Sequence, residues 1–254
     1  MTAGAFLRAG LVAVAISVAA PAVAQEKTGT KPGFNLKPGA ARIVLMRPSV
    51  HVGAQSTGGM YEPNADWTAR ARDHITITLK EMQATLGNEV VIYEEGPGPD
   101  AALATQYGNL FGTLADSVIE YQFFKGNRLP TKKRHKKDFD WSLGTGMAGL
   151  PALRGADYAL FVNTYDAYGS LGRKALQVVG LLAGVPVTSG EHRGYAGLVD
   201  LRTGELVWLN ADRRMGGDVR DKDGAEKRVR QLLEGFPGRP PAQPIQPARG
   251  EKGS

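Results

Sequence analysis

The sequence predicts an α/β fold: a single layered domain with a mixed, mostly parallel sheet, a C-terminal antiparallel hairpin and flanking helices. Three observations predict it. Short runs of branched and aromatic residues alternate along the chain with longer segments whose apolar residues recur every three or four positions. Residues 157–165 (Asp-Tyr-Ala-Leu-Phe-Val-Asn-Thr-Tyr) have the composition of a central strand. Finally, 195–201 and 205–210 face each other across Arg202-Thr-Gly204, where Gly204 can take the positive φ that a tight bulged hairpin needs. With 254 residues and 42% hydrophobic content, the chain can bury one substantial core.

Taken in order, residues 1–24 read as a signal peptide. Arg8 precedes the apolar run 9–20, and Ala22-Val-Ala24 has the small-residue pattern of a cleavage site, leaving Gln25 as the new amino terminus. The run is about a dozen residues, short of the roughly 20 that span a bilayer. Residues 25–39 are polar and rich in Gly, Pro and Lys, a flexible lead with no core of its own. Residues 41–47 form the first strand, stopped by Pro48, and a loop carries Ser56-Thr-Gly-Gly59 and Tyr61-Glu-Pro-Asn64. Asn64 or Asp66 caps a helix to about 86 with the stripe Trp67, Ala71, Ile75, Leu79, Met82 and Leu86. The second strand is 89–93.

A second long helix spans 100 to about 124, with the stripe Leu103, Tyr107, Leu110, Leu114, Val118 and Tyr121. Phe139, Trp141 and Leu143 pin a loop to the body, and 146–153 form a short helix limited by Pro151. After the 157–165 strand, a turn at 166–169 leads into an apolar helix, 171–183. Asp223-Gly-Ala-Glu226 has the spacing of a capping box and opens the last helix through Val229, Leu232 and Leu233. The domain is therefore 40–236, and 237–254, with prolines at 237, 240, 241, 244 and 247, is a structureless tail.

There are no cysteines. That excludes a disulfide scaffold, a thiolate nucleophile, Cys-ligated zinc and a lipidation cysteine. The chain is placed in the periplasm, exported and cleaved after Ala24. The formal charge of +6 is local. Loss of Arg8 leaves +5, and Lys125, Arg128, Lys132, Lys133, Arg134, Lys136 and Lys137 bring seven positives with no acid among them; five minus seven leaves the rest at about −2.

No residue pattern assigns a catalytic group, a metal or a cofactor. His51, His74, His135 and His192 have no metal-ligand spacing. Gly169-Ser-Leu-Gly172 sits between a strand and a helix but lacks the spacing of a hydrolase elbow, and Ser170 is placed to cap that helix. With the helix amino terminus, Arg173 can hold an anion. Gly144-Thr-Gly-Met-Ala-Gly149 does not follow a strand, so it fails the dinucleotide fingerprint. Asp200 suits hydrogen bonds to turn amides. The run Lys132, Lys133, Arg134, His135, Lys136, Lys137 reads as a solvated loop or as a contact for an anionic surface; nucleic acid is not an expected partner.

The element order, Gly194-Tyr-Ala-Gly-Leu-Val-Asp-Leu-Arg-Thr-Gly-Glu-Leu-Val-Trp208 and Gly217-Asp-Val-Arg220 resemble those of a group of exported proteobacterial proteins of unassigned function. Ser56-Thr-Gly-Gly-Met-Tyr-Glu-Pro63 with Trp67, and 165–173, are further marks of that group. More distantly the layout is similar to the periplasmic domain of the curli secretion channel and to the amino-terminal domain of TolB. The resemblance implies a non-catalytic envelope role, binding a protein or another envelope component. The alternatives are a small periplasmic hydrolase with an unrecognised site, and an anionic lipid or polymer binder using 125–137. A deep pocket gathering acids, His192 or Ser170 would mark an enzyme; a flat apolar patch would mark a docking module.

Overall fold

The computed structural model describes residues 27–238 apart from 86, 95, 97, 125 and 132–137. The expected signal peptide, five of the seven basic-run cations at 132–137 and the proline-rich tail from 239 onward lie outside the described residues. In chain order the strands are β1 (Lys27–Thr30), β2 (Arg42–Leu45), β3 (Ser49–Gln55), β4 (Tyr61–Pro63), β5 (Glu89–Ile92), β6 (Trp141–Ser142), β7 (Tyr158–Gly169), β8 (Glu191–Asp200) and β9 (Glu205–Asp212). The helices are α1 (Ala65–Thr85), α2 (Pro99–Val118), α3 (Leu171–Leu182) and α4 (Lys222–Leu232).

All nine strands join one mixed sheet whose main path runs β1-β9-β8-β7-β2-β5. Strand β7 is its axis. β2 lies parallel to its first residues (Ile43 opposite Tyr158) and β3 parallel to its last (Ser49 opposite Asn163), so 42–55 form one path interrupted around Pro48. β8 runs antiparallel to β7 from Tyr158–Asp200 to Ala167–Glu191. The α/β class and the mixed sheet are those expected. Antiparallel pairing takes a larger share than expected, five pairings against three, because β1, β4 and β6 all join in that sense.

Alternation along β7 divides the core in two. Leu160 and Val162 point to one face, with Ala71, Ile75 and Leu79 of α1, Val229 and Leu232 of α4, and Trp208. Ala159 and Phe161 point to the other, with Phe111, Ala115 and Val118 of α2 and with Met147, Leu150 and Leu153. The last three come from two short 3-10 turns, Thr145–Gly149 and Pro151–Leu153, which split at the proline as its missing N–H requires. Phe139 and Leu143 are buried beside them, and Trp141 pairs with Leu206, so this loop is pinned as expected.

Five expectations are corrected. The lead at 25–39 is not free of the core: β1 pairs with β9, Leu36 is 4% exposed and Phe34 meets the Tyr158 ring edge-on. β1 is made of Lys, Thr and Gly, so its place comes from backbone pairing rather than apolar burial. The loop after Pro48 is instead the β3–β4 hairpin, in which Val50 and Val52 are buried while Ser49 and His51 face out. The buried stripe of α2 is Ala104, Phe111, Ala115 and Val118; Leu103, Leu110 and Tyr121 are exposed, because the helix approaches the sheet along its small residues. The turn at 166–169 is strand, held by a charge pair described below. The cap of α4 is Asp221, whose carboxylate accepts from the Gly224 N–H at 2.7 Å, two residues before the expected start.

Candidate functional site

Three places in this fold hold unusual chemistry. The first is buried. Thr164, Asp166 and Tyr168 alternate onto the α1/α4 face of β7, and α4 brings Arg228 against them. Both Asp166 and Arg228 are fully buried. Arg228 Nη2 donates to Asp166 Oδ1 at 2.7 Å and Nη1 to Oδ2 at 2.8 Å; Nη1 also reaches Thr164 Oγ1, while Nε and Nη2 donate to the Gly216 and Gly217 carbonyls. Those five bonds match the five donors of a guanidinium, which is what makes a buried arginine tolerable. From β8, His192 places Nδ1 2.8 Å from Asp166 Oδ1. Burial alone would raise the Asp166 pKa, but hydrogen bonds from His192 and Arg228 and the Arg228 charge together hold it below the usual carboxylate value.

Next to it, Arg220 is sandwiched between the rings of Trp67, at 4.6 Å, and Tyr168, at 3.8 Å. Asp218 fixes it with bonds to both Nε and Nη2, and that pairing brings the Asp218 carboxyl down to about 2. Tyr168 in turn packs on His192 at 4.8 Å, and burial pushes its hydroxyl well above the usual phenol range. Every charged group here faces a partner, so the cluster ties β7, β8 and α4 together, with His192, Asp218 and Arg220 partly exposed at its edge.

The second place is an open cleft of about 660 Å³ on the opposite face, beyond the end of α2. Tyr165, Arg193 and Tyr195 floor it, and Asp116 and Glu120 wall it. Some of its charges are matched: Arg213 meets Glu120 at 3.7 Å, Arg193 meets Glu191 at 3.3 Å, and Arg193 also covers the Tyr165 ring. Asp212, also in the lining, is buried; its Oδ1 accepts from the Arg214 N–H at 2.7 Å, and its Oδ2 meets no donor among the described residues. Burial raises the pKa of Asp116 against the pull of Arg193 and Arg213. Acids do gather here, but neither His192 nor Ser170 lines the cleft. His192 alternates to the other face with Asp166, while His51 lines the cleft together with Asp116, Glu120, Glu191 and Asp212. Among the described residues no three His, Asp or Glu side chains come together as metal ligands.

The third place is α3, at the outer end of the β7–β8 hairpin. Ser170 caps it as expected, its Oγ accepting from the Arg173 N–H at 3.2 Å. Arg173 is held by backbone carbonyls that leave its charge uncompensated: Nε donates to the Thr188 carbonyl at 2.8 Å and Nη1 to the Thr57 carbonyl at 3.3 Å. The helix packs on its own return segment through Gly180, where a Cβ would stand 2.7 Å from the Val185 carbonyl oxygen. Gly180 is the only buried residue of the twelve. Leu171 is 85% exposed, Leu182 84%, Leu181 78%, and Val178 and Val179 60% each. Burying a side chain of this kind is worth about 1.5–3 kcal/mol, so five left in water forgo several kcal/mol. Large apolar side chains exposed together along one helix are unusual on the surface of a folded protein.

The sequence marks 171–183 as apolar but says nothing of which way the helix faces. The turn of direction comes from Gly180 and from the two carbonyls that hold Arg173. The other sequence-named candidates, Lys132, Lys133, Arg134, Lys136 and Lys137, lie outside the described residues. Arg128, at the start of that stretch, donates through Nε to the Gln122 carbonyl at 2.9 Å.

No family model matches the chain, and no curated protein matches it. Among solved structures, a PelC variant dodecamer from Paraburkholderia phytofirmans is similar at 12% identity and a TM-score of 0.40, over 85% of this chain and 99% of that one. A PelC dodecamer of the same organism in another crystal form gives 12% identity and a TM-score of 0.37 over the same shares. At those values neither likeness carries an argument about function.

Proposed function

We propose that the chain is a non-catalytic binding module of the bacterial envelope, working in the periplasm, and that the outward face of α3 is its contact surface. The exposure of Leu171, Val178 and Leu182 along one side of that helix is the observation that carries this reading. The leader-like residues 1–24 and the resemblance of the element order and of the 194–208 and 217–220 motifs to exported proteins support the compartment. Among the described residues no helix is long and apolar enough to cross a membrane. Against a hydrolase stand the separation of His192 from the open cleft and the use of Ser170 as a helix cap.

The test is a variant that makes the face polar, Leu171→Gln with Val178→Gln and Leu182→Gln, expressed in the parent bacterium. The folded body is expected to keep its thermal midpoint, since these side chains pack against little. Retention in washed envelopes is expected to drop at least tenfold. Equal retention of variant and wild type would overturn the proposal.

A further inference from the structure

We infer that α3 seats on an anionic lipid surface, lying in the plane of the headgroups; this rests on the reading of α3 as the contact surface and names its partner. Leu171, Ala175, Val178, Val179 and Leu182 follow the spacing of one helical stripe, and all five are exposed. Gly180 and the side chain of Arg173 face the return segment instead. The apolar stripe therefore points away from the protein body, the reverse of a helix that covers a core. Twelve residues make a helix of about 18 Å, too short to span a bilayer and suited to lying along its boundary.

Charge selects the partner. From Ser170 to Gly190 the chain carries Arg173 and Lys174 and no acid. A second copy would meet its own patch across a two-fold axis and bring four cations to one seam without a counter-charge. An anionic headgroup layer supplies that counter-charge. The stripe is wholly aliphatic, whereas protein interfaces draw on aromatic side chains and arginine at their centres. The surface also extends beyond the helix. Thr57 accepts from Arg173, which sets the β3–β4 hairpin beside the start of α3, and Met60 at that hairpin tip is 71% exposed.

The experiment is flotation of the mature full chain with phosphatidylglycerol–phosphatidylcholine vesicles and with pure phosphatidylcholine vesicles. Wild type is expected to float with the anionic vesicles, and the Leu171→Gln, Val178→Gln, Leu182→Gln variant to bind them at least tenfold more weakly. Lys174→Gln is expected to weaken binding to anionic vesicles about threefold and to leave phosphatidylcholine binding unchanged. A Leu182→Trp variant is expected to shift its added emission to the blue on mixing with anionic vesicles, which reports insertion without depending on the polar variant. Failure of wild type to float, or equal flotation of wild type and the polar variant, would overturn the inference. If wild type does not float while the polar variant still leaves the envelope, the contact surface stands and its partner is a protein. A concentration-dependent dimer, lost in the polar variant and seen without lipid binding, would equally overturn the lipid assignment in favour of a second copy.

Discussion

Asp166 on β7 and Arg228 on α4 meet through two hydrogen bonds, at 2.7 and 2.8 Å, with both side chains fully out of contact with water. The pair joins the central strand to the last helix across 62 residues of chain. It sits near the outer end of the long β7–β8 hairpin, one residue pair before the strands part towards α3.

Breaking that pair on one side is expected to be costly. Arg228→Met leaves a buried carboxylate without its charge partner, a loss of about 3–5 kcal/mol. Combining it with Asp166→Leu removes the stranded charge and is expected to recover much of the loss. Equilibrium denaturation of the two singles and the double measures the coupling.

The same pair sets an acid limit. The folded pKa of Asp166 lies below its ordinary value of 3.8, so the native state holds the ionised form more strongly than the unfolded chain does. The resulting stability is fully present above that ordinary value and is lost as pH falls through it towards the lower folded value. Denaturation midpoints from pH 5 to pH 2 are expected to fall less steeply for the Asp166→Leu, Arg228→Met double variant than for wild type. Parallel slopes would assign the acid sensitivity to other carboxylates.

Trp208 is fully buried, with its ring edge-on to Phe236 at 5.2 Å. Trp208→Ala is expected to lower stability by about 3–5 kcal/mol through cavity formation. Its Nε1–H finds no acceptor among the described residues. Trp208→Phe removes that unpaired donor together with part of the ring, so its cost is expected to stay below about 1.5 kcal/mol. Urea midpoints with unchanged slopes decide; a Phe variant as unstable as the Ala variant would place an acceptor at Nε1.

Gly204 has φ +71° in the β8–β9 turn, and a Cβ there would run into the Gly144 carbonyl, which is backbone and cannot swing aside. Gly204→Ala is expected to cost more than about 1 kcal/mol. It should also free Leu143, whose N–H donates to the Gly204 carbonyl at 2.8 Å, and a rise in Leu143 amide exchange beyond the global change would show it.

Ser170→Ala removes the cap of α3 and is expected to loosen that helix alone by about 1 kcal/mol. Because α3 packs against so little, amide exchange at residues 171–174 should accelerate about fivefold while the global midpoint stays in place. A matching fall in the global midpoint would show that α3 is part of the cooperative core.

The sequence made β7, β8, β9, α1 and the Ser170 cap legible, because apolar period and turn chemistry agreed at each. Asp200 accepts from the Arg202 and Thr203 amides, as a strand-end aspartate should. Elsewhere distant partners decided. Asp166-Ala-Tyr-Gly169 has the composition of a turn and becomes strand because Arg228 neutralises the aspartate from another element. The expected α2 stripe keeps Val118 but otherwise lies about one position off, because Ala104 and Ala115 mark the close approach while Leu103 and Leu110 sit on its flank. The β3 strand had a signal, Val50 and Val52 at alternate positions, obscured by Gly53 and His51. For the proposed contact surface, local pattern marks the apolar helix, and only Gly180 and the grip on Arg173 show that its stripe points outward.

The outer edge of β9 carries a further consequence. β6 covers it at Glu205 and Leu206, the Lys31 N–H takes the Val207 carbonyl, and β1 covers Trp208 to Ala211. Thr28 Oγ1 also donates to Asn210 Oδ1, while the Asn210 amide closes the last carbonyls of α4. An uncovered strand of this length, apolar on both faces, is a template on which another chain can add. The short Lys-Thr-Gly-Thr strand, with little of its own to bury, thus acts as a guard against aggregation. A chain trimmed past Thr30 would keep most of its core and lose its solubility first.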